Sequence, residues 1–242
     1  MDVQDKVAFV TGGGTGIGRA VALALRAGGA QVVVGGRREA PLRELAAQEG
    51  IEWVGVDVSD PGQVAASIER VLELHGRLDI LVNNAGVYSV APLEETSEES
   101  LQLLWEVNVA GVLRVSRAAL PALRESRGAI VNISSIVARG VFPGAVAYSA
   151  SKAAVEHATR VLAAEVGPQG VRVNAVAPGP TETPMTEHLL ADSGTVAALA
   201  GQTPLGRIGR PEDVAPAVVF LASSAASWVT GEVLSAAGGL TL

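Results

Sequence analysis

Six short apolar runs, each closed by glycine or a polar turn residue, alternate with stretches of helical period, and this alternation limits the chain more than any other feature. The runs are "KVAFVTG" at 6–12, "AQVVVGG" at 30–36, "IEWVGVDV" at 51–58, "LDILVNNAG" at 78–86, "GAIVNISS" at 128–135 and "VRVNAVAPG" at 171–179. Between them Ile17, Ala20, Val21, Ala24 and Leu25 share a helical face, as do Val64, Ile68, Val71 and Leu72. Longer helices are expected over about 97–123 and about 147–166, and a last one over 211–223 precedes a seventh short strand, "EVLSAAG" at 232–238. Runs apolar on both faces suit strands covered by helices on two sides. Right-handed crossovers then give a doubly wound (Rossmann) α/β fold with a mostly parallel seven-stranded sheet.

The 242 residues suffice for one such domain spanning 1–242. Aromatics make up only 3% of the chain, so the core must come from Ala, Val, Leu and Ile packed closely between layers. After Gly179 the pattern breaks into a mixed segment containing Pro180, Pro184, Pro204 and Pro211. A segment this long inside a compact domain is usually functional, and a substrate lid is expected at about 181–210.

A formal net charge of −7 without a basic stripe argues against nucleic acid as a partner. The chain has no cysteine, which removes disulfides and thiolate chemistry, and its three histidines, His75, His157 and His188, are too scattered for a metal site. The apolar stretch "VAPAVVFLA" is far short of the roughly 20 residues of a membrane span, and the start is wrongly flanked for a signal peptide. A cytoplasmic protein with no membrane partner is expected.

Chemistry-bearing residues gather where the strands end. "TGGGTGIG" at 11–18, with Gly12, Gly16 and Gly18 flanking Thr15 and Ile17, lies between a strand and a helix as a phosphate cradle requires. A plain glycine turn uses the same letters, but its place after the first strand favours the cradle. The second strand ends in Gly36, where NAD sites carry an acidic residue, and continues with Arg37 and Arg38. Guanidinium in place of carboxylate points to NADP(H), held mainly by Arg37. Arg38 serves equally well as a solvated residue at a helix start. Asp57 and Val58, at the end of the third run, suit an adenine, with helix capping as the competing role of Asp57. Asn84, Ala85 and Gly86 suit a backbone turn beside a cofactor.

Tyr148 and Lys152 stand four apart and share a helical face. An ammonium beside a phenol favours the phenolate, so the pair is expected to lower the phenol's pKa and act as an acid/base unit. Ser135, closing the fifth strand at the same edge, can hold a substrate oxygen, while Ser134 is read as a polar strand end.

In chain order, "TGGGTGIG", "NNAG", the Asn of "VNVAG", "NISS", "YSASK" and "PGPTETP" resemble the short-chain dehydrogenase/reductases over nearly the whole chain. The resemblance implies that Tyr148 exchanges the proton, Ser135 orients the substrate and Lys152 holds the nicotinamide ribose, while Asn108 holds a relay water. Pro178, Gly179, Thr181 and Thr183 would then meet the cofactor, and a homotetramer or dimer forms through the Tyr-bearing helix and its predecessor. Two positions depart from the family pattern. Ala237 stands where an Asp is common, and Thr15 stands where NADP users often carry a basic residue.

The expected activity is that of an NADP(H)-dependent carbonyl reductase or alcohol dehydrogenase acting on a ketone or secondary alcohol. Three rivals stand beside it: a 3-oxoacyl-acyl-carrier-protein reductase-like enzyme, a non-catalytic NADP-binding sensor and a relative turned to non-redox chemistry. The sensor predicts decay of Asn108, Ser135, Tyr148 or Lys152, and all four are present. Non-redox relatives usually lose the glycine turn or the Lys. Val87, Tyr88, Ala138, Phe142, Met185 and Leu189 are the expected pocket walls and suit a largely apolar ketone. Arg139 is read as a solvated loop residue.

Overall fold

The computed structural model describes residues 2–240. Its centre is a seven-stranded sheet in the order β3-β2-β1-β4-β5-β6-β7. The strands are β1 Val7–Thr11, β2 Gln31–Gly36, β3 Glu52–Gly55, β4 Ile80–Asn83, β5 Ala129–Ile133, β6 Arg172–Pro178 and β7 Val233–Ala236. Every neighbouring pair is parallel, so the expected sheet is realised without an antiparallel edge. All strands therefore end at one rim. The order reverses between β1 and β4, which opens a crevice there.

Two apolar layers flank the sheet. On one face Val21, Leu25, Leu42, Val214 and Val218, from α1 Gly16–Ala27, α2 Glu39–Glu49 and α9 Pro211–Ala222, pack on Ala8, Val10, Val34 and Val131. On the other, Ile68, Val71, Val115 and Ala119, from α3 Pro61–His75 and α5 Val112–Ser126, pack on Val7, Phe9, Leu81 and Ile130. Alternate residues of β1 thus serve opposite layers, which is why its run has no polar face.

The edge strands differ from the expectation of two buried faces. β3 is only half-buried, and β7 exposes Leu234 and Ser235. Each has a neighbour on one side within this chain. The third run also leaves the sheet at Gly55, so Asp57 sits two residues beyond the strand. The helix expected over 97–123 is α4 Glu98–Leu104 running through a π-helical turn, Trp105–Gly111, into α5. The π turn contains Asn108, and such bulges are common near functional sites. No helix among the described residues is long and apolar enough to cross a membrane.

The centre of the sheet carries a polar chain. Asn83 and Asn132, register partners on β4 and β5, are linked through Nδ2 and Oδ1 at 2.9 Å, and Asn132 donates to Thr159 at 2.9 Å. Thr159 lies on α6 Val146–Val166, so the bonds tie the sheet to the helix that bears Tyr148.

Candidate active site

At the crevice the ends of β1 and β4 are stitched together. Asn84 Nδ2 donates to the carbonyls of Thr11 and Gly12, at 2.9 and 3.0 Å, and Thr11 Oγ1 accepts from the amides of Asn84 and Ala85. Gly12, at φ 64°, leaves room for this: a Cβ there would lie 2.8 Å from Asn84 Nδ2. A Cβ on Gly18 would collide with the Gly12 carbonyl oxygen, so this glycine serves the approach of helix to turn and does not reach the cleft wall. Gly13, which spacing did not single out, is required because its Cβ would fall within 2.7 Å of Val34.

The cleft has a volume of about 1120 Å³ and is lined at one end by Gly12, Thr15, Gly16, Ile17, Arg37, Arg38, Asp57 and Val58. Thr15 makes no side-chain capping bond at the start of α1. The first amides of that helix therefore remain donors facing a glycine-lined groove, and the residues fit the pyrophosphate of a dinucleotide.

Both arginines at the end of β2 lie on the cleft. Arg37 Nη1 is 3.9 Å from Asp57 Oδ2, and Arg38 Nη2 donates to Thr15 Oγ1 at 3.2 Å. Arg38 therefore reaches the glycine turn while its side chain stays exposed. The cap of α3 belongs to Asp60, which accepts from Gly62 and Gln63. Asp57 instead holds Ser59 through Oδ1, leaving Oδ2 toward Arg37. Val58 packs against Gly111, where an added Cβ would meet Val58 Cγ2 at 2.8 Å.

At the other end Ser135, Tyr148 and Lys152 line the cleft beside Ala85 and Gly86. The Ser135 hydroxyl lies near enough to the Tyr148 phenol to favour its ionised form, and it accepts from Val137 N at 3.4 Å. Lys152 Nζ donates to the Ile133 carbonyl at 2.9 Å and lies 5.8 Å from the centroid of the Tyr148 ring. Asn108 stands behind this wall. Its Nδ2 donates to Val87 O at 3.0 Å and to Ser151 Oγ at 3.2 Å, while Oδ1 accepts from Val87 N at 2.8 Å. The side chain of Asn108, the residue to which the resemblance assigned a relay water, is thus engaged with protein, fastening the Gly86–Val87 backbone to α6.

The electrostatics correct one expectation. The Tyr148 phenol is raised above its ordinary pKa of 10, not lowered, because burial outweighs the influence of Ser135 and Tyr88 adds to the rise. Lys152, fully buried, is lowered from 10.5 to about 8 by desolvation. An unfolded chain keeps that proton up to about 10.5, so between about 8 and 10.5 the unfolded state binds more protons and stability rises with pH. Above 10 the buried phenol, still protonated when folded, opposes the rise. Lys152→Met is therefore expected to raise unfolding free energy at pH 7 by ~1–3 kcal/mol while losing turnover. Urea denaturation from pH 7 to 9.5 checks this, and a destabilised variant or a flat parent profile would contradict it.

Pro178 ends β6 on the cleft wall and Gly179 follows it, packed against Ala237, whose Cα would lie 3.0 Å from a Cβ on Gly179. The following segment, with α7 Glu187–Leu190 and α8 Ser193–Gln202, folds back over the rim. Thr183 sits above Gly16, with 3.2 Å between its Cβ and a Cβ built on that glycine. Thr181 is buried, donates to Gly179 O at 2.9 Å and bridges to Gly209.

Val87, Tyr88, Phe142, Met185 and Leu189 line the cleft as expected, but Val137 takes the place given to Ala138. His188 is a wall residue that carried no sequence signal. Tyr88 stands edge-on to Tyr148 with centroids 5.0 Å apart, and His188 lies 5.9 Å from Tyr88. Arg139 is not on the wall; its Nε donates to Glu156 at 2.8 Å. No cluster of potential metal ligands occurs among the described residues.

Comparison with known proteins agrees with this fold. Residues 12–241 match the family model described as "Enoyl-(Acyl carrier protein) reductase". The chain is 40% identical to the 3-oxoacyl-acyl-carrier-protein reductase of Thermotoga maritima, covering 100% of both chains. It is 38% identical to the cyclopentanol dehydrogenase of Comamonas sp., over 99% of this chain and 98% of that one. The crystal structure of a gluconate 5-dehydrogenase from Burkholderia cenocepacia, in complex with NADP and tartrate, superposes with a TM-score of 0.94. That protein is 34% identical, with 99% of this chain and 96% of the other covered.

Proposed function

Since the chain belongs to the short-chain dehydrogenase/reductase family, we propose that it is an NADP(H)-dependent carbonyl reductase acting on a largely apolar ketone and, in reverse, on the matching secondary alcohol. The observation that carries the reading is a buried phenol beside Ser135, in the same cleft as an uncapped helix start behind a glycine turn.

When bound, the nicotinamide supplies or accepts the hydride at its C4. Arg37 and Arg38 hold the 2′-phosphate, and the α1 amides hold the pyrophosphate. Pro178, Gly179, Thr181 and Thr183 border the nicotinamide end, and Lys152 holds its ribose. Ser135 positions the substrate oxygen by a hydrogen bond, and Tyr148 gives its proton to that oxygen as negative charge develops there. Burial keeps the phenol protonated near neutral pH, which suits it to the donor role of the reductive direction. The Lys152 ammonium, on the ring side of the phenol, then favours the phenolate that remains. Asn108 keeps Gly86 and Val87 in place beside these groups.

Charge along the cleft supports the choice of substrate. Arg37, Arg38 and Asp57 lie at the nucleotide end, whereas Val87, Leu103, Val137, Phe142, Met185 and Leu199 surround the space beyond Tyr148. Because Arg139 is turned onto Glu156, it offers no receptor for an anionic substrate. The cyclopentanol dehydrogenase relative is named for an uncharged cyclic alcohol, in keeping with such walls. A second reading, reduction of 3-oxoacyl thioesters, is favoured by the match to the Thermotoga maritima reductase along the full length of both chains.

A panel of neutral cyclic and aryl ketones, a 2-oxo acid, an aldose and a 3-oxoacyl thioester, assayed with NADPH and NADH, tests the proposal. Highest kcat/KM is expected for the neutral ketones with NADPH. Preference for the thioester would transfer the assignment to the second reading, and absence of turnover with every carbonyl would leave a coenzyme-binding sensor.

The segment over 181–210 acts as a lid in this scheme, with Thr183 descending on Gly16. For assembly, Trp105 in the π turn, Leu113 on α5 and Val146 and Val161 on α6 are exposed. They supply the apolar face for a homodimer or homotetramer.

A further inference from the structure

Glu156 is a carboxylate with a side chain only 5% exposed, one helical turn beyond Lys152, and no step described so far uses it. Its Oε2 accepts from Arg139 Nε at 2.8 Å, with Arg160 Nη2 farther off at 3.9 Å, and its Oε1 accepts from Ser134 Oγ at 3.1 Å. Ser134 Oγ also lies 3.4 Å from the Lys152 carbonyl. Arg139 closes the short turn Ile136–Ala138, which Ser135 opens by capping Val137 N. The Ser149 hydroxyl donates to the Val137 carbonyl in the same turn. The loop that carries Ser135 is thus fastened to the helix that carries Tyr148 and Lys152, and the one contact between full charges in that fastening is Arg139 with Glu156.

We infer that Arg139 and Glu156 form a positioning clamp that sets the Ser135 hydroxyl against the Tyr148 phenol; the inference rests on the reductase reading above. For stability alone an apolar pair would serve as well at a buried spot, because desolvation offsets most of the attraction between buried ions. A charge-assisted bond from a guanidinium fixes direction as well as distance. Direction matters here. Ser135 and Tyr148 must meet one substrate oxygen together, and misplacement by about 1 Å lowers turnover roughly 10²-fold. Arg139 is 43% exposed and off the cleft wall, so its replacement tests the clamp without opening the core or touching substrate.

The test uses the full chain with NADPH and the best ketone of the panel. Arg139→Met is expected to lower kcat by about 10–100-fold with KM for NADPH unchanged, and to lower Tm because the buried Glu156 carboxylate loses its nearest cation. Arg139→Lys should recover part of the loss. In a Ser135→Ala background the same Arg139→Met change should lower kcat by less than about twofold, because the group it positions is gone. Independently of turnover, hydrogen exchange of the 135–139 amides should quicken while β5 and β6 keep their protection.

The clamp is overturned if Arg139→Met keeps kcat within about twofold of the parent. It is overturned equally if its loss is undiminished in the Ser135→Ala background, or if exchange at 135–139 does not change. A parent that is active and disabled by Tyr148→Phe, yet indifferent to Arg139→Met, rejects the clamp alone. A parent inactive on every carbonyl rejects the reductase reading together with the clamp.

Discussion

Tyr148→Phe is expected to lower kcat by about 10²–10⁴-fold, the usual scale for loss of a general acid/base, with NADPH binding unchanged. The substitution removes one oxygen and keeps the ring. The ring's edge contact with Tyr88 and the approach of Lys152 Nζ to its face should therefore survive. Steady-state kinetics combined with fluorescence titration of NADPH separates the two effects. Turnover within about tenfold of the parent, with coenzyme bound, would remove Tyr148 from the proton-transfer step. A phenol held above its ordinary pKa further implies that reduction stays active at neutral pH, while oxidation gains as pH rises toward the range where the phenol can ionise.

The second large effect concerns the coenzyme. Gly36 occupies the place at the end of β2 where a carboxylate would face the ribose, and its φ is not in the left-handed region. A Cβ built there comes no closer than 3.8 Å to another side chain, at Leu42 Cδ1. Gly36→Asp is therefore expected to fold without steric penalty and to bring a negative charge toward the 2′-phosphate beside Arg37. Like charges brought together without solvent cost several kcal/mol, so kcat/KM for NADPH should fall by about 10²-fold or more while that for NADH holds or improves. Measuring both coenzymes with one ketone decides it. Equal losses for NADH and NADPH would mean that the end of β2 does not read the phosphate.

Much of the site was readable because parallel strands deliver their last residues to one rim. Once the apolar runs were placed, Gly12, Asn84, Ser135 and Gly179 had to share an edge, however far apart they lie in the chain. The four-residue spacing likewise brought Tyr148 and Lys152 to one face of α6. What spacing cannot express is whose polar atoms are already engaged. Gly18 and Asn108 belong to the motifs yet stand behind the cleft wall, one packed on the Gly12 carbonyl and the other bonded to Val87 and Ser151. His188 enters the site only through the fold of the segment after β6.

The amino-acid sequence by itself determined the parallel sheet, the rim at which chemistry gathers, and the pairing of phenol with amine, because period and chain order are local properties that survive any detail of packing. Only the tertiary structure decided the sense of the Tyr148 shift, the partnership of Arg139 with Glu156 and the reach of Arg38 to Thr15. Each of these depends on how much water is excluded and on which group arrives from a distant element. Desolvation and long-range contact are properties of the assembled volume, and no run of neighbouring residues contains them.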